Sequence, residues 1–256
     1  MISKNQLQYY SSLLTKKYRK IENKFIAEGK RLVLEGLNNN YKCDSVFITN
    51  NFANENKEIV DQIDALNHKF IFLKQKEFEK ISDTKTPQGI AAVFVKPSLK
   101  FSVNHFSNDK IIVMLDNISD PGNLGTIIRN CDWFGVKNIL LSENIVEYTN
   151  PKVIRSSMGS IFHIRLFEMI SGGQLEILKT SGFEILCADI EGENIFNYKS
   201  DKKKILILSS ESHGPSKEIE SISDKKICIP KLGSAESLNV ASASAILIAQ
   251  LTKQRR

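Results

Sequence analysis

The strongest constraint on the fold is a set of six short apolar segments in the second half of the chain: IIVML (111–115), NILL (138–141), IFHIRLF (161–167), EILCA (184–188), ILIL (205–208) and KICI (226–229). Turn-forming residues bound each one, and helical periodicity occupies the intervals near 124–134, 151–157, 170–181 and 216–220, with a last helix over 237–254. Apolar strands separated by helices are the pattern of a mostly parallel sheet covered on both faces. In the first half, SVFIT (45–49), KFIFL (69–73) and IAAVFV (90–95) alternate with helices near 55–66 and 75–81. Residues 5–37 read as two short helices, the second carrying Phe25, Ile26, Leu32, Val33 and Leu37 on its apolar side. Both halves are therefore α/β. The polar, proline-containing stretch 96–109 interrupts the alternation and divides the chain into domains 1–98 and 110–256 joined by a linker at 99–109.

With 256 residues, 41% hydrophobic and 25% charged, the chain can bury about 70% of its extended surface without disulfide staples. No apolar run approaches the roughly 20 residues that span a bilayer, and the first ten residues lack the apolar centre of a signal peptide. A cytoplasmic protein with no membrane partner is expected. Cys43, Cys131, Cys187 and Cys228 are spaced neither as a disulfide framework nor as a zinc site, so they read as buried or half-buried thiols, and no metal is expected.

The charge is unevenly placed. Lys and Arg number 35 against 29 Asp and Glu, a net of +6. Residues 1–31 alone hold eight basic and two acidic side chains, and the remainder is balanced. Lys16, Lys17, Arg19, Lys20, Lys30 and Arg31 are accordingly the candidate contacts to a nucleic-acid backbone. A solvated helix face has the same composition.

Ligands of open α/β sheets bind beyond the carboxyl ends of the strands. Three loops there stand out. After IIVML, Asp116 to Thr126 contains Pro121-Gly122, read as a type II turn, with Asn123 as cap of a helix that puts Arg129 on its exposed side. After ILIL come Ser209, Ser210, Glu211, Ser212, His213 and Gly214, which offer one carboxylate and one imidazole. After KICI, a polar stretch leads through Ser237, Leu238 and Asn239 into a terminal helix rich in small residues. No phosphate-binding P-loop, dinucleotide glycine fingerprint or nucleophile elbow is present.

The three loops, DNISDPGNLGTIIRN (116–130), LILSSESHG (206–214) and IPKLGSAESLNVASA (229–243), resemble motifs 1, 2 and 3 of the SpoU (TrmH-like) branch of the SPOUT RNA methyltransferases. FIAEGKRLVLEGL (25–37) and EFEKISDTKTPQGIAAV (77–93) resemble that family's substrate-binding domain, so the likeness covers nearly the whole chain. The resemblance implies methyl transfer from S-adenosylmethionine to a ribose 2′-hydroxyl of RNA. It favours rRNA over tRNA, because a separate N-terminal domain is typical of rRNA modifiers. It also implies a deep trefoil knot in the C-terminal domain and a homodimer. By the same resemblance Arg129 orients the phosphate and the 2′-hydroxyl and aids loss of its proton, with Asn123, Glu211, Ser237 and Asn239 as further catalytic positions. Ser209, Gly214, Ile229 and Leu238 match the cofactor-binding positions. The chain departs from the pattern in motif 2, where Ser209 and Ser212 stand in place of glycines. That departure motivates the alternative of an RNA-binding protein of this fold with weak or lost catalysis.

Overall fold

The computed structural model describes residues 2–210 and 214–253. They fall into two units, Met1–Ser98 with Glu147–Phe162, and Leu99–Val146 with His163–Arg256.

The first unit holds a four-stranded sheet of β1 (Lys24–Glu28), β2 (Cys43–Thr49), β3 (Phe70–Leu73) and β4 (Ile90–Val95), in the order β1-β4-β2-β3. β2 and β3 are parallel, and β4 runs antiparallel to both its neighbours. Residues 24–28 are thus a strand, not part of a helix as their composition implied. Asn23, at φ 51, ends the helix Lys16–Glu22, and Gly29, at φ 101, turns the chain into the helix Lys30–Asn38. Between those two breaks Phe25, Ile26 and Ala27 are all buried, as befits a strand covered on both faces. A short apolar run of this kind has no period that separates strand from helix.

On one face Ile26, Phe47, Leu73, Ala91 and Val93 pack with Leu7 and Leu13 of the N-terminal segment and with Phe78 and Ile81. The other face carries an aromatic cluster. Gly36 lies flat against the Phe94 ring, where an added Cβ would come within 2.4 Å of a ring carbon. The cluster is completed from far along the chain by Phe162, whose ring centroid lies 4.9 Å from that of Tyr41, 5.3 Å from Phe94 and 6.3 Å from Phe25. The whole segment Glu147–Phe162 belongs to this unit. Its anchors include the Arg19–Glu147 ion pair, the Lys96 ammonium over the Tyr148 ring at 4.8 Å, and a hydrogen bond from the Tyr41 hydroxyl to the Ile161 carbonyl. Only residues 165–167 of the apolar run 161–167 form a strand, because Ile161 and Phe162 are drawn into the first unit.

The second unit is built on a six-stranded, wholly parallel sheet in the order β10-β8-β9-β5-β6-β7. Its strands are β5 (Ile111–Asp116), β6 (Asn138–Leu141), β7 (Arg165–Phe167), β8 (Phe183–Asn194), β9 (Lys203–Ser209) and β10 (Lys225–Cys228). β5 and β6 are buried along their full lengths, which accounts for their unbroken apolar sequences. Residues 99–109 are not a free linker: Phe106 is fully buried in this unit's core, with Phe101 and Val103 packed beside it. Cys131 and Cys187 are buried free thiols, Cys43 and Cys228 half-buried ones, and burial pushes the Cys187 thiol up to about 11. No helix among the described residues is long and apolar enough to cross a membrane.

Candidate functional site

The polar groups of the second unit gather at the carboxyl ends of β5 and β9, neighbours in the sheet. Asp116 closes β5 and pairs in register with Ser209 at the end of β9. The Asp116 carboxylate is buried, and its Oδ2 accepts hydrogen bonds from the Ser216 backbone N–H at 2.7 Å and the Asn117 amide at 3.4 Å. Asn117, in the left-handed region at φ 57, also donates to the Gly214 carbonyl at 3.4 Å. Residues 116 and 117 thus hold Gly214 and Ser216, which lie beyond the end of β9. Sequence reasoning passed over both, although a carboxylate ending an apolar strand was a visible signal. Asp116→Asn keeps the shape but removes the negative acceptor, so a loss of about 1–3 kcal/mol in this anchoring is expected. It should be read as faster amide exchange at Gly214 and Ser216 with the melting temperature little changed, and parental exchange there would contradict the anchoring role.

The helix after β5 runs Pro121–Trp133. Pro121 is its first residue and Asp120 its cap, the Asp120 side chain accepting from the Asn123 N–H at 2.8 Å. This replaces the expected type II turn capped by Asn123. Proline is well suited to the first helical position, where its missing N–H costs nothing. With the cap moved back, Asn123 lies inside the first turn and its side chain is released for other contacts. Leu124, Ile127, Ile128 and Cys131 face the core, and Arg129 is exposed. Among the described residues the Arg129 guanidinium has no hydrogen-bond or ion-pair partner.

The terminal helix begins at Val240, later than expected, with Asn239 capping it: its Oδ1 accepts from the Ala241 and Ser242 N–H groups at 3.0 and 3.4 Å. The Asn239 amide in turn donates to Asn123 Oδ1 at 3.0 Å. Two turns along the first helix, the Asn130 amide donates to the Ala241 carbonyl and to Ser244 Oγ, both at 2.9 Å. Three asparagines, Asn123, Asn130 and Asn239, therefore bind the two helices together. The structure joins Asn123 to Asn239 across 116 residues of sequence. Ser237 and Leu238 are exposed in the irregular stretch before the helix, and Ile229 is half-buried just beyond β10. Gly214 is at φ 63 with open space where a Cβ would stand. Glu211, Ser212 and His213 lie outside the described residues.

In the first unit Lys16, Lys17, Lys20, Lys30 and Arg31 are exposed. Arg19 is not. Only 3% exposed, it holds Glu147 through Nη2 at 2.8 Å and Nε at 3.2 Å, and its Nη1 donates to the Leu13 and Leu14 carbonyls. A guanidinium committed in this way is structural and is removed from the candidate nucleic-acid contacts. The unit as a whole carries 18 basic and 12 acidic residues, and the second unit 17 of each, so the entire net charge of +6 stays with the first.

Among known proteins, the profile of the SpoU rRNA Methylase family matches residues 110–249, and that of the MRM3-like substrate binding domain matches residues 4–92. The chain is 30% identical over 251 residues to the 23S rRNA (guanosine(2553)-2′-O)-methyltransferase RlmP of Bacillus subtilis, covering 97% of both chains. Its fold is similar to that of a TrmH-family protein from Porphyromonas gingivalis, with a TM-score of 0.87, 30% identity and 99% of both chains covered. It also resembles the SpoU methyltransferase AviRb from Streptomyces viridochromogenes, solved with AdoMet, with a TM-score of 0.89 at 21% identity over 99% of this chain and 98% of that one.

Proposed function

Because the chain belongs to the SpoU rRNA methylase family, we propose that it transfers a methyl group from S-adenosylmethionine to a ribose 2′-hydroxyl of RNA, with rRNA as substrate in preference to tRNA. The observation that carries this reading is the Asn123–Asn239 bond, which ties the start of the Arg129 helix to the start of the terminal helix beside an exposed guanidinium. The preference for rRNA rests on the relative named as a 23S rRNA methyltransferase and on the match of the first half to a substrate-binding domain.

The residues present suit the methyl donor. Ser209 and Gly214 lie beside Asp116 and Asn117, Gly214 has open space beside it, and Leu238 is 48% exposed in a stretch whose backbone is in neither helix nor strand. Together with Ile229 they would hold S-adenosylmethionine through backbone groups and one apolar contact. The bound cofactor supplies a methyl group on a sulfonium, already activated for transfer. The protein has to position the 2′-oxygen and favour loss of its proton. A guanidinium is a poor base, so Arg129 acts by stabilising the negative charge that develops on the oxygen. Asn123 and Asn239 fix the helix starts that frame it, Ser237 offers a hydroxyl to the ribose, and Glu211 is assigned by its motif alone.

A homodimer is part of the same reading. Trp133, on the helix that carries Arg129, is 82% exposed, a large apolar surface for a second copy to cover. Full-length protein fractionated by size should incorporate labelled methyl groups from S-adenosylmethionine into rRNA, leaving one phosphodiester resistant to alkali, with the activity eluting at twice the monomer mass. Labelling confined to tRNA would displace the substrate assignment. Ser209 and Ser212 favour the second reading, an RNA-binding protein with lost catalysis. Calorimetry showing no cofactor binding at millimolar concentration would select it.

A further inference from the structure

We propose that the amino-terminal edge of the six-stranded sheet, at the opposite end of the strands from the candidate site, is a further RNA-binding surface, with Lys110 and Lys137 contacting backbone phosphates between Lys202 and Arg165. This rests on the reading of the protein as an RNA methyltransferase and adds a contact that belongs to the second unit alone. β9, β5, β6 and β7 are consecutive neighbours and all parallel, so their amino ends lie side by side. A basic residue stands at each of the four ends: Lys202 just before β9, Lys110 just before β5, Lys137 just before β6, and Arg165 as the first residue of β7. All four are exposed. Backbone bonds fix their order, since the Lys204 N–H donates to the Lys110 carbonyl and the Arg165 N–H to the Lys137 carbonyl, both at 2.9 Å. The Asn138 amide donates to Asp109 and ties the start of β6 to that of β5. Strands about 4.8 Å apart make this row about 14 Å long, enough to meet more than one phosphate.

Most carboxylates at this end are held internally. Glu184 is buried and accepts from the Tyr198 hydroxyl at 2.5 Å and the Ser200 hydroxyl at 2.9 Å. Asp132 lies 2.7 Å from His163 Nδ1, and Asp224 is paired with Lys179 at 2.7 Å. Asp201, beside Lys202, is exposed. Some of the cations are committed as well: Lys203 Nζ donates to the Ser107 carbonyl at 2.6 Å, Lys204 Nζ to the Ser200 and Lys202 carbonyls, and one Arg165 nitrogen to the His105 carbonyl at 3.4 Å. Lys202 also acts on Asp224. Among the described residues Lys110 and Lys137 form no ion pair and no side-chain hydrogen bond, so the middle of the row carries the free charge. The unit as a whole is neutral, with 17 basic and 17 acidic residues, and this edge is a local excess within it. The apolar residues adjoining the row, Ile111, Ile139 and Leu166, are buried in the sheet and leave no apolar centre for a protein partner. A line of point charges suits a phosphate backbone and not base edges. Six residues of β5 separate Lys110 from Asp116, about 20 Å at 3.3 Å per residue, so the RNA held here is not the nucleotide being methylated.

The test is fluorescence anisotropy of the full chain with a labelled 23S rRNA transcript across a KCl series, alongside methylation kinetics and calorimetry with S-adenosylmethionine. The double variant Lys110→Ala/Lys137→Ala should raise Kd several-fold and flatten the slope of log K against log salt by about 1.4 to 1.8, at about 0.7 to 0.9 for each phosphate no longer neutralised. KM for the RNA should rise with Kd, while kcat, cofactor affinity and melting temperature stay at parental values. Lys110→Arg/Lys137→Arg should keep the parental slope. Lys225→Ala/Lys226→Ala removes the same charge from lysines already paired with Glu193, Asp189 and Glu220, and should leave the slope unchanged. A parental slope in Lys110→Ala/Lys137→Ala, or an equal flattening by Lys225→Ala/Lys226→Ala, overturns the proposal while leaving the methyltransferase reading intact. Binding of polyglutamate that disappears in Lys110→Ala/Lys137→Ala, with the RNA slope still parental, would give the row to an acidic protein instead. A parent protein that binds no RNA overturns both readings.

Discussion

Arg129→Ala is expected to lower kcat on the RNA substrate by about 10²–10³-fold, the usual cost of removing one preorganised group that stabilises a developing oxyanion. The side chain is exposed on the outer face of a helix whose inner face holds Leu124, Ile127, Ile128 and Cys131, so its loss should leave the fold and the cofactor affinity at parental values. Arg129→Lys should recover little, because an ammonium cannot reproduce the planar fork with which a guanidinium holds a phosphate and an oxygen together. Single-turnover methylation and calorimetry on the same preparations separate chemistry from binding. Normal turnover by the alanine variant would remove Arg129 from the reaction.

Glu147→Ala should destabilise the first unit by about 3–5 kcal/mol, because it strands the buried Arg19 charge. Both partners are almost fully buried, and Thr149 also donates to Glu147. The Leu13 and Leu14 carbonyls would still accept from Arg19 Nη1, but Nε and Nη2 would lose their anion. Amide exchange in β1 and β4 reads the loss directly, since both strands lie in the unit that the pair closes. Replacing the pair together, as Arg19→Met with Glu147→Leu, should return most of the protection, because two apolar side chains of similar volume need no counter-charge. Parental exchange in Glu147→Ala would show that Arg19 is satisfied by the two carbonyls alone. The pair also explains why removing the N-terminal residues is a poor probe of RNA binding: the cut would take Leu7, Leu13 and Arg19, which hold the unit together.

Much of the second unit was legible in advance, since its strands are buried on both faces and their apolar runs stand out between turns. β1 was hidden because Phe25, Ile26 and Ala27 form a run too short for any period to show, and only the pairing with β4 makes it a strand. The motif-bearing loops were visible through Asn123, Arg129, Ser237 and Asn239, but the bond between Asn123 and Asn239 was not, because side chains 116 residues apart leave no local trace of their pairing. The same limit hid Asp116 and Asn117, whose partners Ser216 and Gly214 lie about a hundred residues away.

Amino-acid order alone was enough to establish an α/β chain, the three polar loops at strand ends, and a charge excess confined to the first 31 residues. These are properties of neighbours along the chain, set by side-chain period, turn chemistry and composition. The tertiary structure decided which of those charges face solvent. Arg19 and Lys20 are adjacent in sequence and equivalent in charge, yet one is buried against Glu147 and the other is exposed. It also decided that residues 147–162 belong with the first unit, where Phe162 fills the space against Phe25, Tyr41 and Phe94. Burial depends on what the rest of the chain brings to a position, and a buried arginine is retained only where a distant carboxylate arrives to meet it.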